Sequence, residues 1–339
     1  MKHTIWLIAI VLFTSCNKQA PKDYVTLSGT FKNIDFDKLI LRKYTSKGDS
    51  ITTINFNPDG TFSDTLKLEE GEYFFSQQGK DPLAILLYLK NGDDITINYD
   101  VKGNESAIFE GTGIQGSIYM EARRKKVKEL IPDEEKFIAT DSITFYKKIE
   151  GLKNEIRKLV DENKNLGTAF IELQEEFIEF TEGTMVYLYN MNKAKNDLIG
   201  KPAPNFVNYE NHAGGLTSLE DLKGKYVYID LWATWCGPCK KEFPALKELE
   251  KSYHGKNIQF VGISVDGPSN YDPWRALVTE EELTGIQLLA PENHTIYPDY
   301  AIQAIPRFII LDPQGNVVDP DAPRPSSNEI KPLLDKLLK

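Results

Sequence analysis

Cys236 and Cys239 stand two residues apart in Trp235-Cys236-Gly237-Pro238-Cys239, in a chain of 339 residues whose one other cysteine is Cys16. Sulfurs at this spacing suit thiol–disulfide exchange: one attacks a disulfide, and the other resolves the mixed disulfide that forms. Two blander readings stand beside it. The pair could be half of a zinc site, but a second cysteine pair is missing, and His3, His212, His254 and His294 form no ligand cluster by spacing. It could also be a static structural disulfide, a reading that the Gly-Pro between the sulfurs at a strand–helix junction disfavours.

The elements that must position the pair can be read around it. Tyr226 to Trp232 is a buried strand by its apolar run, and Cys236 falls at the mouth of the helix that follows. A helix N-terminus presents unpaired N–H groups and the positive end of the dipole, which favour a thiolate there. The thiol pKa therefore falls and the sulfur becomes a better nucleophile. From about Leu198 onward strands and helices alternate: "KYVYIDLWA", "CKKEFPALKELEKSY", "IQFVGISVD", "DPWRALVTEEEL", "IQLLA", "RFIILD", "NVVD" and "SSNEIKPLLDKLL". Such alternation predicts βαβ units and an α/β mixed sheet flanked by helices over 198–339. Ser326 with Glu329 predicts a capping box for the last helix.

The chain ahead of this region has a different character. Residues 24–113 carry short β-forming runs such as "ITTINF", "TFSDTLKL" and "DITINYD", separated by Asn57-Pro58-Asp59-Gly60, Glu70-Gly71 and Asn91-Gly92. That is the pattern of a small antiparallel β domain with hairpin turns. Residues 114–197 switch to apolar positions at three- and four-residue spacing, hence helices, with Pro132 and Gly167 as breaks. The β region shows no catalytic cluster, and nothing in either stretch names a ligand.

The last 140 or so residues resemble thioredoxin, and more closely the membrane-tethered TlpA-like thiol-disulfide oxidoreductases. The resemblance rests on Trp235-Cys236-Gly237-Pro238-Cys239, on Phe243-Pro244 in the helix, and on Ala304-Ile305-Pro306 before the late strand. It implies a thioredoxin-like fold, with Pro306 as a cis-proline facing the cysteines and Ile305 offering a backbone edge to an extended client chain; an ordinary trans proline opening an edge strand is the alternative. Arg307 stands where the family usually has a small residue, a departure that bears on client preference. Asp230 matches thioredoxin's buried acid. Strand alternation points it inward, behind Cys239, where burial would raise its pKa and let it exchange a proton with the resolving thiol. Thioredoxin's accompanying lysine is absent, its place falling at Gly262. Glu242 matches an acid that TlpA-like proteins place near the pair. Either acid could instead be merely structural. Trp235 is read as the aromatic flank of a client surface shared with Gly237, Pro238, Ile305 and Pro306, and Trp232 as core.

The N-terminus speaks to location. Met1-Lys2-His3 precedes an apolar run from Ile5 to Phe13 and then Thr14-Ser15-Cys16. The run is too short for a bilayer span of about 20 residues, and the order of charge, apolar stretch and small residues is that of an export signal; a buried N-terminal element is the alternative. The end resembles a bacterial lipoprotein signal, with Phe13 where an aliphatic residue is usual. That resemblance implies a signal over 1–15, lipidation of Cys16 as the membrane anchor, and a tether over 16–23. The formal charge of −10 leaves no basic excess for nucleic acid.

Together these residues predict an exported, lipid-anchored oxidoreductase that needs no cofactor beyond the Cys236–Cys239 disulfide. Gly-Pro between the sulfurs resembles reducing members, so the expected clients are oxidised proteins of the cell envelope, with cytochrome c maturation or disulfide rescue as uses. Electrons would come from a membrane thiol donor, because the chain has no nucleotide-binding signature. A thiol peroxidase of the peroxiredoxin type is a second reading, weakened because Thr234 lies two residues before Cys236 where that pattern needs three. A third is a binding module, with residues 24–197 recognising a protein or glycan.

Overall fold

In a computed structural model, the structure describes residues 22–43, 50–76, 83, 85–103 and 106–339. The signal over 1–15 and Cys16 lie outside the described residues. The chain divides into two compact units, one of Met1–Glu134 with Ser142–Glu182 and one of Glu135–Asp141 with Gly183–Lys339. Among the described residues no helix is long and apolar enough to cross a membrane.

In the first unit, β1 (Val25–Lys32), β2 (Lys38–Lys43), β3 (Ser50–Asn55), β4 (Thr61–Leu66), β5 (Gly71–Ser76), β6 (Leu86–Leu89), β7 (Asp94–Asp100) and β8 (Ile108–Thr112) form two sheets, ordered β4-β1-β7-β8 and β3-β2-β5-β6. Alternate residues of both sheets, among them Leu27, Phe31, Leu41, Phe62, Phe75, Leu87 and Ile97, share one core. This is the packing of a β-sandwich. The pairings are antiparallel except β1 with β7, which run parallel. The two strands approach so closely at Gly29 that a Cβ there would lie 1.9 Å from the Ile97 carbonyl oxygen. Short local turns gave no hint of this pairing, since it joins strands far apart in sequence. Of the helices that follow, α1 (Gln115–Leu130) and α3 (Ser142–Glu162) belong to this unit, α2 (Glu134–Ile138) falls mostly in the second, and α4 (Thr168–Asn196) runs from the first into the second. On α3 the buried residues Phe145, Ile149, Leu152, Ile156 and Val160 keep the stripe that the apolar spacing predicts.

The second unit carries β9 (Tyr209–Asn211), β10 (Leu216–Thr217), β11 (Tyr226–Trp232), α5 (Gly237–Ser252), β12 (Ile258–Ser264), α6 (Tyr271–Glu280), β13 (Ile286–Leu289), α7 (Ile296–Asp299), β14 (Arg307–Leu311), β15 (Val317–Asp319) and α8 (Ile330–Leu337). The sheet order is β10-β9-β13-β12-β11-β14-β15. β11, β12 and β13 run parallel, and β14 and β9 flank them antiparallel. Side-chain alternation divides the core. Val227, Ile229, Leu231, Ile263, Leu288 and Ile309 fill one face. Tyr228, Phe260, Phe308 and Ile310 meet Leu246 and Leu249 of α5 and Ile330 and Leu334 of α8 on the other. The predicted α/β mixed sheet flanked by helices is the one observed.

The capping box predicted for the last helix is not formed. α8 starts at Ile330, and its N-cap, Glu329, makes no side-chain cap bond. Ser326 lies too far ahead of Ile330 to cap it and bonds Glu242 of α5 instead.

Candidate active site

β11 is central, so its side chains are sealed on both faces; only Tyr226 of its seven residues is not fully buried. The chain leaves it at Ala233 through a tight turn in which the Cys236 N–H donates to the Ala233 carbonyl, 3.0 Å. Cys236 is the N-cap of α5, with extended backbone angles, and its Sγ accepts the Cys239 N–H at 3.2 Å. The sulfur thus takes up one of the donors that a helix start leaves free. Cys236 and Cys239 are joined in a disulfide, with 5.3 Å between their Cα atoms. Both are buried, in a cluster with Trp232, Phe243, Trp274, Val278 and Leu289.

The surroundings differ on the two sides of the pair. Outside, Trp235 is 66% exposed, Gly237 and Pro238 are exposed, and a Cβ at Gly237 would meet nothing within 4 Å. Ile305 packs against the cluster that holds the two cysteines. The Ile305–Pro306 bond is cis, and the next residue, Arg307, pairs with Leu231 of β11. Arg307 forms an ion pair with Asp321, which also binds Lys195 at 2.8 Å. Ile305 thus lies against the cysteine cluster, while Trp235, Gly237 and Pro238, next to the cysteines in the chain, present exposed surface.

Inside, Asp230 is 2% exposed, and its Oδ1 has no hydrogen-bond partner. Burial, helped by the nearby Glu242 carboxylate, pushes its pKa up to about 8. Glu242 is buried on the inner face of α5, where both of its oxygens are held: Ser326 N–H donates to Oε2 at 3.1 Å and Ser326 Oγ–H to Oε1 at 2.9 Å. Tyr228, two residues back on the same face of β11, donates its hydroxyl to the Pro323 carbonyl.

The roles of two residues at the site escaped the sequence reading. Asp266, 1% exposed, follows β12, whose end lies beside that of β11. It accepts the Thr234 N–H at 2.7 Å and the Thr234 hydroxyl at 2.8 Å, with a further bond from Ser264. It therefore pins the turn that presents Trp235 and Cys236. The signal available was an acid immediately after a strand parallel to the one bearing the motif. Ser326, the other, had none: its partner is 84 residues away.

A mixed sheet with a disulfide at the start of the first crossover helix defines a thioredoxin-like redox domain. Residues 199–319 match the model of the AhpC/TSA family. The chain is 30% identical over 139 residues to the thiol-disulfide oxidoreductase ResA of Bacillus cereus, covering 41% of this chain and 78% of the relative. It is 32% identical over 137 residues to the thioredoxin-like protein YneN of Bacillus subtilis, covering 40% and 78%. Among solved structures, the thioredoxin domain of a thiol-disulfide oxidoreductase from Bacteroides vulgatus is 26% identical, covering 42% of this chain and 98% of that one with a TM-score of 0.38. The chain belongs to the thioredoxin-like, ResA-related thiol-disulfide oxidoreductases and is an enzyme of that class.

Proposed function

We propose that this oxidoreductase is exported, tethered to a membrane through a lipid on Cys16, and works as a reductase of disulfides in envelope proteins. The observation that carries the catalytic reading is the place of Cys236 at the N-cap of α5, its sulfur facing the Cys239 N–H. In the reduced enzyme that N–H and the helix dipole favour a Cys236 thiolate. The thiolate attacks one sulfur of a client disulfide, and the other client sulfur leaves as a thiolate and takes up a proton. Cys239 then loses its proton to the Asp230 carboxylate and attacks the Cys236 sulfur. The second client sulfur leaves as a thiolate and takes that proton from Asp230, and the enzyme is left with the Cys236–Cys239 disulfide. The client has gained two electrons and two protons. A membrane thiol donor restores the reduced pair.

In this scheme Asp230 handles the proton and the Glu242 carboxylate beside it helps keep its pKa raised, while Trp235, Gly237, Pro238, Ile305 and Pro306 form the client surface. Residues 24–197 serve partner choice. The peroxidase reading is weakened further, because the Thr234 hydroxyl is engaged by Asp266 rather than free for a peroxide.

The test is a Cys239→Ser variant expressed in cells. It should accumulate mixed disulfides between Cys236 and envelope proteins, with Cys236→Ser trapping none. Recovery of cytosolic clients alone, or of none, would defeat the reading, as would faster turnover of hydrogen peroxide than of protein disulfides. Loss of membrane association in Cys16→Ser checks the anchor.

A further inference from the structure

Asp230 has a neighbour that the scheme above leaves unused. Across the sheet it lies in register with Gly262 of β12, and Gly262 in register with Gln287 of β13. Side chains paired in this way point to the same face, here the face covered by α5. Gln287 is 5% exposed, and its amide orientation is fixed because Nε2 donates to the Thr284 carbonyl at 2.7 Å. That leaves Oε1 as the end lying over the glycine: a Cβ on Gly262 would sit 2.3 Å from it. Like Asp230 Oδ1, Gln287 Oε1 is buried with no hydrogen-bond partner. Trp232, two residues beyond Asp230 and on the same face of β11, has a buried, unpartnered Nε1 as well.

Asp230 and Gln287 therefore flank Gly262 on one face of the sheet, each with an orphaned acceptor and with no side chain between them. Acceptors cannot satisfy each other, but a molecule with two donors and two lone pairs satisfies both, and enclosed water fills this role where two to four polar groups converge. We propose that Gln287 is a positioning residue for proton transfer, holding over Gly262 an enclosed water that also bonds the Asp230 carboxyl. The inference rests on Asp230 serving Cys239, as in the proposed function. Gln287 Oε1 can only accept, so it takes one proton of the water and turns the other toward Asp230. Such a donor stabilises the ionised carboxylate, the form that receives the Cys239 proton. The other titratable groups that act on Asp230 are Glu242 of α5 and Tyr228 of its own strand, with Cys239 the thiol it is proposed to serve. Phe308 of β14 and Gly262 of β12 carry no charge.

The experiment uses the reduced full-length protein and 5,5′-dithiobis(2-nitrobenzoate). A first thionitrobenzoate is released as Cys236 attacks the reagent, and a second as Cys239 resolves the adduct. Gln287→Leu should move the inflection of the second phase to higher pH by about one unit, slowing that phase about tenfold at pH 7, and leave the first phase unchanged. Gly262→Ala should do the same by displacing the amide oxygen. Unchanged second-phase profiles in both variants overturn the inference. Asp230→Asn separates the two levels. If it abolishes the inflection while Gln287→Leu leaves it in place, Gln287 alone is excluded; if it leaves the inflection too, the role given to Asp230 fails with it. Should a variant not fold, the wild-type Asp230 carboxyl infrared band, assigned by its loss in Asp230→Asn, decides. A hydrogen-bonded position is expected, and the position of a dry, free carboxyl overturns the inference.

Discussion

Arg123 in the first unit and Asp230 in the second are both ionisable side chains sealed from solvent, at 3% and 2% exposure, yet their surroundings treat them oppositely. Arg123 is saturated with partners. Its guanidinium donates to both oxygens of Glu72, at 2.8 and 2.9 Å, and to Gln174, whose own amide donates to Glu72. It also lies over the Phe177 ring, 3.8 Å from the centroid. Asp230 faces an orphaned acceptor and a second carboxylate. A paired charge gains nothing by changing protonation, so the Arg123 cluster is a fixed strut. An unpaired acid whose pKa has been pushed up to about 8 changes state within the working range of an enzyme, which suits it to chemistry. Pairing separates the structural buried charge from the reactive one.

The largest test of this contrast is the pH dependence of stability in the oxidised protein. Burial, with the Glu242 charge, pushes the folded Asp230 pKa up to about 8, against about 3.9 in the unfolded chain. Between those values the native state holds a proton that the unfolded chain lacks, so stability falls as pH rises, by up to about 1.4 kcal/mol per unit. Asp230→Asn should abolish this slope in urea titrations and make the protein more stable than wild type at pH 8. An Asp230→Asn curve parallel to the wild type would break the comparison. On the other side, Arg123→Met removes the guanidinium that bonds both Glu72 and buried Gln174 and should cost about 3 kcal/mol, without altering the rate at which Cys236 reacts with a small disulfide. Equal stability would mean that the cluster is no strut.

Smaller effects sharpen the picture. Ser326→Ala removes one of the two hydrogen bonds to the buried Glu242 carboxylate and should cost about 1.5 kcal/mol in denaturant melts, with Ser326→Thr restoring most of it. Trp235→Ala, at an exposed site, should change stability by less than about 0.5 kcal/mol while raising the KM for a protein disulfide several-fold and sparing small disulfides. A uniform effect on both substrates would remove Trp235 from client contact.

What could be read beforehand follows the range of the interaction. The strand–turn–helix around Cys236 and the inward turn of Asp230 are set by residues a few positions apart, and period-two alternation suffices to see them. The parallel pairing of β1 with β7, the hold of Ser326 on Glu242, the clamp of Asp266 on Thr234 and the row Asp230–Gly262–Gln287 are set by register between distant segments. A local pattern carries no such register. Ser326 shows the cost: its position suggested a helix cap, and tertiary packing turned it to an acid on another helix. Arg123 stood unnoticed in a basic run because its burial is decided by Glu72 and Gln174, each 51 residues away.

The central claim is that the fold makes the Cys236 sulfur electron-rich and reachable in the reduced enzyme. The direct measurement is the rate of iodoacetamide alkylation of Cys236 at pH 7 in the Cys239→Ser protein, folded and unfolded in urea. The account predicts that folding speeds the reaction at least about tenfold, as a thiolate favoured by a helix N-terminus requires. A folded rate equal to or below the unfolded one would contradict it.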